Sequence, residues 1–143
     1  MQVVFYSIIV YNSVNEVNKS IQMEMKEIGN YTQKFNDILN LNIPVGKVFL
    51  SDGLKIHIHK RHPGLEHYIS DLPQIIKHPD YVGTNPKEPN SIELVKILSD
   101  NVLVAIKLDT QNDYLYVASV YDITDSKLNN RINSGRLKKV VDK

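Results

Sequence analysis

The order of hydrophobic periods along this chain predicts an α+β domain, with N-terminal helices packed on an antiparallel β-meander. Across residues 14–41 apolar side chains recur every three or four positions, which is the stripe of an amphipathic helix. Beyond residue 90 the period falls to two, in three segments joined by "SDN" and "TQND", both of which suit hairpins. Helical segments first and strands second define that class. A length of 143 residues with 42% hydrophobic content fills one modest core.

Each element follows from local chemistry. The opening "MQVVFYSIIVYNS" is rich in Val, Ile, Phe and Tyr and reads as a buried strand or an interfacial segment. Its apolar run is about half the twenty residues that a membrane span needs. It also lacks the basic lead and small-residue cleavage site of a signal peptide. Ile21, Met25, Ile28, Tyr31, Phe35, Ile38 and Leu39 make the helical stripe, and Gly29-Asn30 divides it into two helices. A short strand over 47–50 ends at Ser51-Asp52-Gly53, where Ser51 or Asp52 can cap a helix. That helix is preferred to a strand because Leu54 and Ile58 then point inward and Pro63 explains its end. Leu65, Tyr68, Ile69 and Leu72 continue the helical spacing, Pro73 suits the first residue of the next turn, and Pro79 closes it.

The stretch "YVGTNPKEPN" reads as a loop by composition. Strands are expected over 91–98, 102–109 and 114–122. Lys107 falls on the half-apolar face of Leu103, Ala105 and Asp109, while Ser119 and Tyr121 share a face with Leu115 and Val117. The tail reads as a turn of helix, a break at Gly135 and a short basic end carrying Arg136, Lys138 and Lys139. Residues 1–45 form an N-terminal strand and helical extension, and residues 46–143 the main domain, together one compact unit.

Charge and composition narrow the function. A net charge of +1 gives no blanket of positive field, so any nucleic-acid role must rest on a local patch. The absence of cysteine removes thiolate nucleophiles, thiolate metal sites and disulfides, and a cytoplasmic location is expected.

Four of the five histidines lie in "IHIHKRHPGLEH", residues 56–67. The run nearly spells the His-x-His-x-Asp-His signature of the metallo-β-lactamase fold, but Arg61 stands where the carboxylate belongs, and a guanidinium opposes a bound cation. No His-Glu-x-x-His is present either, so neither a metal nor another cofactor is expected. Histidines with no task are one reading of the cluster. Imidazoles beside Lys60 and Arg61 also suit a phosphodiester: a histidine takes or gives a proton near neutral pH, and cations stabilise a pentacovalent phosphorane. Such a site cleaves RNA without metal by using the ribose 2′-hydroxyl as nucleophile.

The ordered series "GLKIHIHKRHPGLEHYISDLPQIIKHPDYVGTNPKEPNSIELVK", "NVLVAIKLDT", "YLYVASVYDI" and "SGRLK" resembles the phage-type branch of the barnase–EndoU–colicin–RelE-like nucleases, over about residues 48–138. The resemblance implies one or two N-terminal helices on a roughly four-stranded antiparallel sheet, with a metal-independent RNase site on the open sheet face. It assigns His57 as general base or acid and His62 as its partner. It sets Lys107 toward the scissile phosphate, makes Ser119 and Tyr121 hydrogen-bonding groups for phosphate or base, and makes Arg136 the terminal cation. Arg61 and Lys96 are secondary substrate-binding candidates. No glutamate near the histidines sits in a motif matching the Glu base of barnase-like enzymes.

The expected activity is therefore that of an endoribonuclease of phage, mobile-element or toxin type, acting on RNA and counteracted by an immunity or antitoxin protein. The alternatives are an RNA-binding module without chemistry and an assembly module in which the N-terminal apolar segment makes a homodimer. No membrane partner is expected.

Overall fold

The computed structural model describes residues 3–11, 18–61 and 63–141, and the side chains from residue 24 onward except those of 61–63. The chain opens with an antiparallel pair, β1 (Val3–Tyr11) and β2 (Asn18–Tyr31). A short helix α1 (Gln33–Leu39) leads to β3 (Gly46–Ser51), α2 (Asp52–Arg61), a 3₁₀ segment (Pro63–Asp71) and α3 (Leu72–Lys77). Strands β4 (Tyr81–Thr84), β5 (Ser91–Ile97), β6 (Asn101–Asp109) and β7 (Tyr114–Ile123) follow, then α4 (Asp125–Asn133) and β8 (Leu137–Lys139).

These strands form one mixed sheet in the order β1-β2-β3-β7-β6-β5-β4-β8. Every neighbouring pair is antiparallel except β3 and β7, which run parallel through Val48 opposite Leu115 and Phe49 opposite Tyr116. One face carries Leu50, Leu94, Val104 and Ile106 and is covered by Phe35 of α1, Ile58 of α2, Tyr68 of the 3₁₀ segment and Ile75 of α3. The other carries Val95, Leu103 and Leu137, and α4 packs there through Leu128 and Ile132. Among the described residues, part of that second face is left uncovered by any helix.

Several local causes are visible. Ser51 Oγ accepts the backbone N–H of Leu54 at 3.1 Å and starts α2, and Thr124 Oγ1 accepts that of Lys127 at 3.2 Å and starts α4. At the β6–β7 turn Asp109 Oδ1 accepts the N–H groups of Gln111 and Asn112, both at 2.9 Å. Those bonds to its charged form, that of Asn112 first, hold the Asp109 carboxyl below the usual range.

The meander over 91–122, the helix after Ser51 and the helical turn before Gly135 match the sequence reading. Four expectations are corrected. Of the supposed helix over 14–41, Asn18–Tyr31 is strand β2, and residues 14–17 lie outside the described residues. Residues 20–26 alternate polar and apolar with Ile21, Met23 and Met25 in one set, and a bulge between Glu27 and Gly29 brings Ile28 into what looked like helical spacing. The supposed loop over 81–90 begins with β4, and the basic tail end forms β8, so the sheet is wider than a four-stranded meander and is mixed. Gly83 disguised both strands. A Cβ there would stand 2.0 Å from the carbonyl oxygen of Arg136, so glycine permits the close pairing of β8 rather than marking a turn. Finally, a bulge at Ala118 sets Ser119 opposite Ala105 and Val117 opposite Ile106. Ser119 and Tyr121 therefore share the face of Tyr114 and Tyr116, not that of Leu115 and Val117. Among the described residues, no helix is long and apolar enough to cross a membrane.

Candidate active site

Strand register lays out the uncovered face as a grid. One row runs Phe49, Tyr116, Lys107, Ser91 across β3, β7, β6 and β5. The next runs Ser119, Ala105, Glu93, Gly83, Leu137 across β7, β6, β5, β4 and β8. A third runs Tyr121, Leu103, Val95, Tyr81, Lys139 and lies largely under α4. Rows are about 7 Å apart along the strands, and strands about 4.8 Å apart across them. Lys107 and Ser119 are diagonal neighbours on this lattice, and Tyr121 follows one row further on.

Glu93 is the centre of the second row. It is 2% exposed, yet small neighbours at Ala105 and Gly83 leave room above it for two guanidinium groups. Arg136, delivered by the chain just before β8, donates from Nε to Oε1 at 2.8 Å and from Nη2 to Oε2 at 3.0 Å. Arg131 of α4 brings Nη1 to 3.7 Å from Oε2, and that nitrogen is buried with no hydrogen-bond acceptor. The bidentate bond to Glu93 raises the pKa of the Arg136 guanidinium above its ordinary value. The arrangement ties α4 and β8 to the sheet and leaves one net positive charge over the second row.

Lys107 donates from Nζ to Oε2 of Glu88 at 3.0 Å. Glu88 stands in the loop between β4 and β5 with about half of its side chain exposed, so this pair sits at the rim of the face. Beside it, Tyr114 and Tyr116 have ring centroids 5.7 Å apart, and Phe49 meets Tyr114 edge-on.

The face thus gathers Lys107, Ser119, Tyr121 and Arg136. The other residues singled out from the sequence lie elsewhere. His57 is exposed on α2, in the helical layer on the opposite side of the sheet. His59, also exposed, contacts Glu66 through Nδ1. Lys96 lies opposite Val102, on the helical side, and pairs with Asp80 at 3.6 Å. His62 and the side chain of Arg61 lie outside the described residues. Among the described residues, no group of three or more His, Asp or Glu side chains is arranged to hold a metal ion.

The sequence reading passed over Glu88, Glu93 and Arg131. A signal existed for Glu93, a carboxylate between Ile92 and Leu94 inside a strand of period two, since such a charge must find a partner to be buried. Nothing local marked Arg131 and Arg136 as those partners, 38 and 43 residues further on.

Compared with known families, residues 26–130 match the phage-Barnase-EndoU-ColicinE5/D-RelE like nuclease3 profile. The chain belongs to that nuclease family. A nuclease family has nucleic acid as its substrate class. The match begins in β2, inside the extension read over 1–45, and ends in α4. It includes His57, Glu88, Glu93, Lys107, Ser119 and Tyr121, whereas Arg131 and Arg136 lie just beyond it. No curated protein and no solved structure matches the chain significantly.

Proposed function

We propose that this nuclease is an endoribonuclease that cuts RNA by attack of the ribose 2′-hydroxyl, without a metal ion, on the uncovered sheet face. The observation that carries the reading is that Lys107, Ser119, Tyr121 and Arg136 share that face within two or three rows, beside the carboxylate of Glu88. Lys107 and the outward N–H groups of Arg136 stabilise the charge that builds on the phosphorane, and Ser119 hydrogen-bonds a non-bridging oxygen. Glu88 takes the proton of the 2′-hydroxyl as the 2′-oxygen bonds to phosphorus. The bond from phosphorus to the 5′-oxygen breaks, that oxygen takes a proton from water in the open face, and a 2′,3′-cyclic phosphate remains; the hydroxide so formed takes the proton held by Glu88. Tyr121, further along the strand, hydrogen-bonds the adjoining nucleotide. His57, in the opposite layer, takes no part in this scheme.

The test is cleavage of end-labelled RNA in EDTA. Glu88→Gln should slow it about 10²–10⁴-fold, as loss of a general base does. Lys107→Ala should slow it about 10²–10³-fold, as loss of one charge-stabilising donor does. His57→Ala should leave the rate unchanged, and a 2′-deoxy nucleotide at the cut should stop it. Loss of activity in His57→Ala with Lys107→Ala unaffected would move the chemistry to the helical layer. Salt-sensitive RNA binding with no product at long incubation would favour the binding-module reading instead. A phage or toxin setting, with a neutralising immunity or antitoxin protein, is part of the same proposal.

A further inference from the structure

On the helical side, remote from the uncovered face, two adjoining hollows run between β2, α1, α3 and the 3₁₀ segment. The larger, about 380 Å³, lies over Ile28, Phe35 and Ile76, with Lys34 and Lys77 on its rim. The smaller, about 190 Å³, lies over Leu50 and Ile69, with Lys26 and Lys55 on its rim. Both are lined by Ile28 and Pro73, so they make one groove with a low ridge across it. Four lysines and no aspartate or glutamate line the two hollows. Lys55 pairs with Asp52 at 3.8 Å at one end of the groove. In a chain with 17 basic and 16 acidic residues, so one-sided a lining is a local excess, not a reflection of overall composition.

We propose that this groove docks an acidic amphipathic segment of another protein, with aliphatic side chains in the two hollows and carboxylates on the lysine rim. Charge complementarity sets the sign of the partner. The floor sets its class: it is aliphatic, and its only ring, Phe35, is 2% exposed. Nucleic acid held in an unpaired state is gripped by stacking bases on accessible rings, which this floor does not offer. Aliphatic side chains flanked by carboxylates satisfy both floor and rim, in the manner of a helix or strand laid in a groove. The groove lies behind the sheet, so an occupant leaves the Lys107 face open and acts as a tether or regulator rather than a plug. The inference does not depend on the chemistry proposed for that face.

The experiment uses the full chain. A displayed library of random peptides is selected on the wild-type protein and counter-selected on Lys26→Glu/Lys77→Glu, and the recovered peptides are titrated by fluorescence anisotropy. The expected result is enrichment of Asp and Glu interleaved with Leu, Ile or Val, and affinity lowered at least about tenfold by the double charge reversal, with near-UV circular dichroism showing that the variant is folded. Should that variant fail to fold, Lys26→Gln and Lys77→Gln are titrated singly, each with an expected loss of about threefold or more. Three results overturn the proposal: recovered peptides without acidic residues, binding indifferent to the lysines, or a single-stranded RNA oligomer whose binding depends on Lys26 and Lys77 and which displaces the peptides.

Discussion

Replacing Glu93 by glutamine removes the one negative charge that faces two guanidinium groups on the second row of the sheet. The carboxylate is 2% exposed, makes two hydrogen bonds of 2.8 and 3.0 Å to Arg136, and lies 3.7 Å from Nη1 of Arg131. Glutamine keeps the volume but offers one acceptor, so Arg136 loses one of its two bonds and both guanidinium groups are left with their charges uncompensated. Removing one partner from a buried pair costs about 3–5 kcal/mol. Against a typical domain stability of about 5–15 kcal/mol, that is a large fraction. At about 3 °C per kcal/mol for a chain of this size, the melting temperature should fall by about 10–15 °C. Calorimetry and urea titration measure it, with the urea slope unchanged if the native fold persists. A second variant separates the charge effect from packing: Glu93→Gln with Arg131→Met and Arg136→Met should recover most of the loss, because a neutral, well-packed triad carries no stranded charge. A Glu93→Gln cost below about 1 kcal/mol, or no recovery in the triple variant, would refute the account of this cluster as a buried charge clamp.

Gly83→Ala forces a Cβ to 2.0 Å from the Arg136 carbonyl oxygen, so β8 must detach from β4; the loss, read by hydrogen exchange at Lys138 and by melting temperature, should exceed about 2 kcal/mol. Asp109 has its pKa lowered mainly by the Asn112 N–H. Its contribution to stability is present above the unfolded value near pH 4 and fades as pH falls through the lower folded value, so Asp109→Asn should flatten acid unfolding in that window. Tyr68 donates its hydroxyl to Asp100, and that bond to a carboxylate pushes its pKa up to about 12. Its contribution is full below about pH 10 and is lost between pH 10 and 12; Asp100→Asn should bring the titration back toward 10, seen as phenolate absorbance.

The fold was legible where the period of side chains reflects a single nearby partner. The strands of the meander are β-branched runs joined by short local turns to their sequence neighbours, and α2 carries its own start in Ser51. Legibility failed where the decisive partner is distant in sequence. Gly83 looks like a turn residue until β8, more than fifty residues later, is laid against it. Strand β3 gives no hint that it will run parallel to β7, since both of its edges read the same from the sequence. In β2, a single bulge rewrote an alternating pattern into one with helical spacing.

The same contrast decides how much of the candidate site was readable. Lys107 and Ser119 could be assigned to a shared surface because their strands are neighbours in the chain, and the bulge at Ala118 changed which tyrosines join them without separating the pair. The histidines drew attention by their density, by the cations Lys60 and Arg61 beside them and by the family resemblance, and none of these says which side of a sheet their helix will cover. Ile58 answers this: it is 2% exposed and packed with Leu50 and Val117, which commits α2 to the helical layer and carries His57 with it. For the imidazole to reach a phosphate held by Lys107, α2 would have to leave that core and bare the Ile58 side chain, at about 1.5–3 kcal/mol for that residue alone. The burial of one isoleucine therefore argues that carboxylate, lysine and hydroxyl groups of the open face, not the histidine cluster, are where substitutions should first be made.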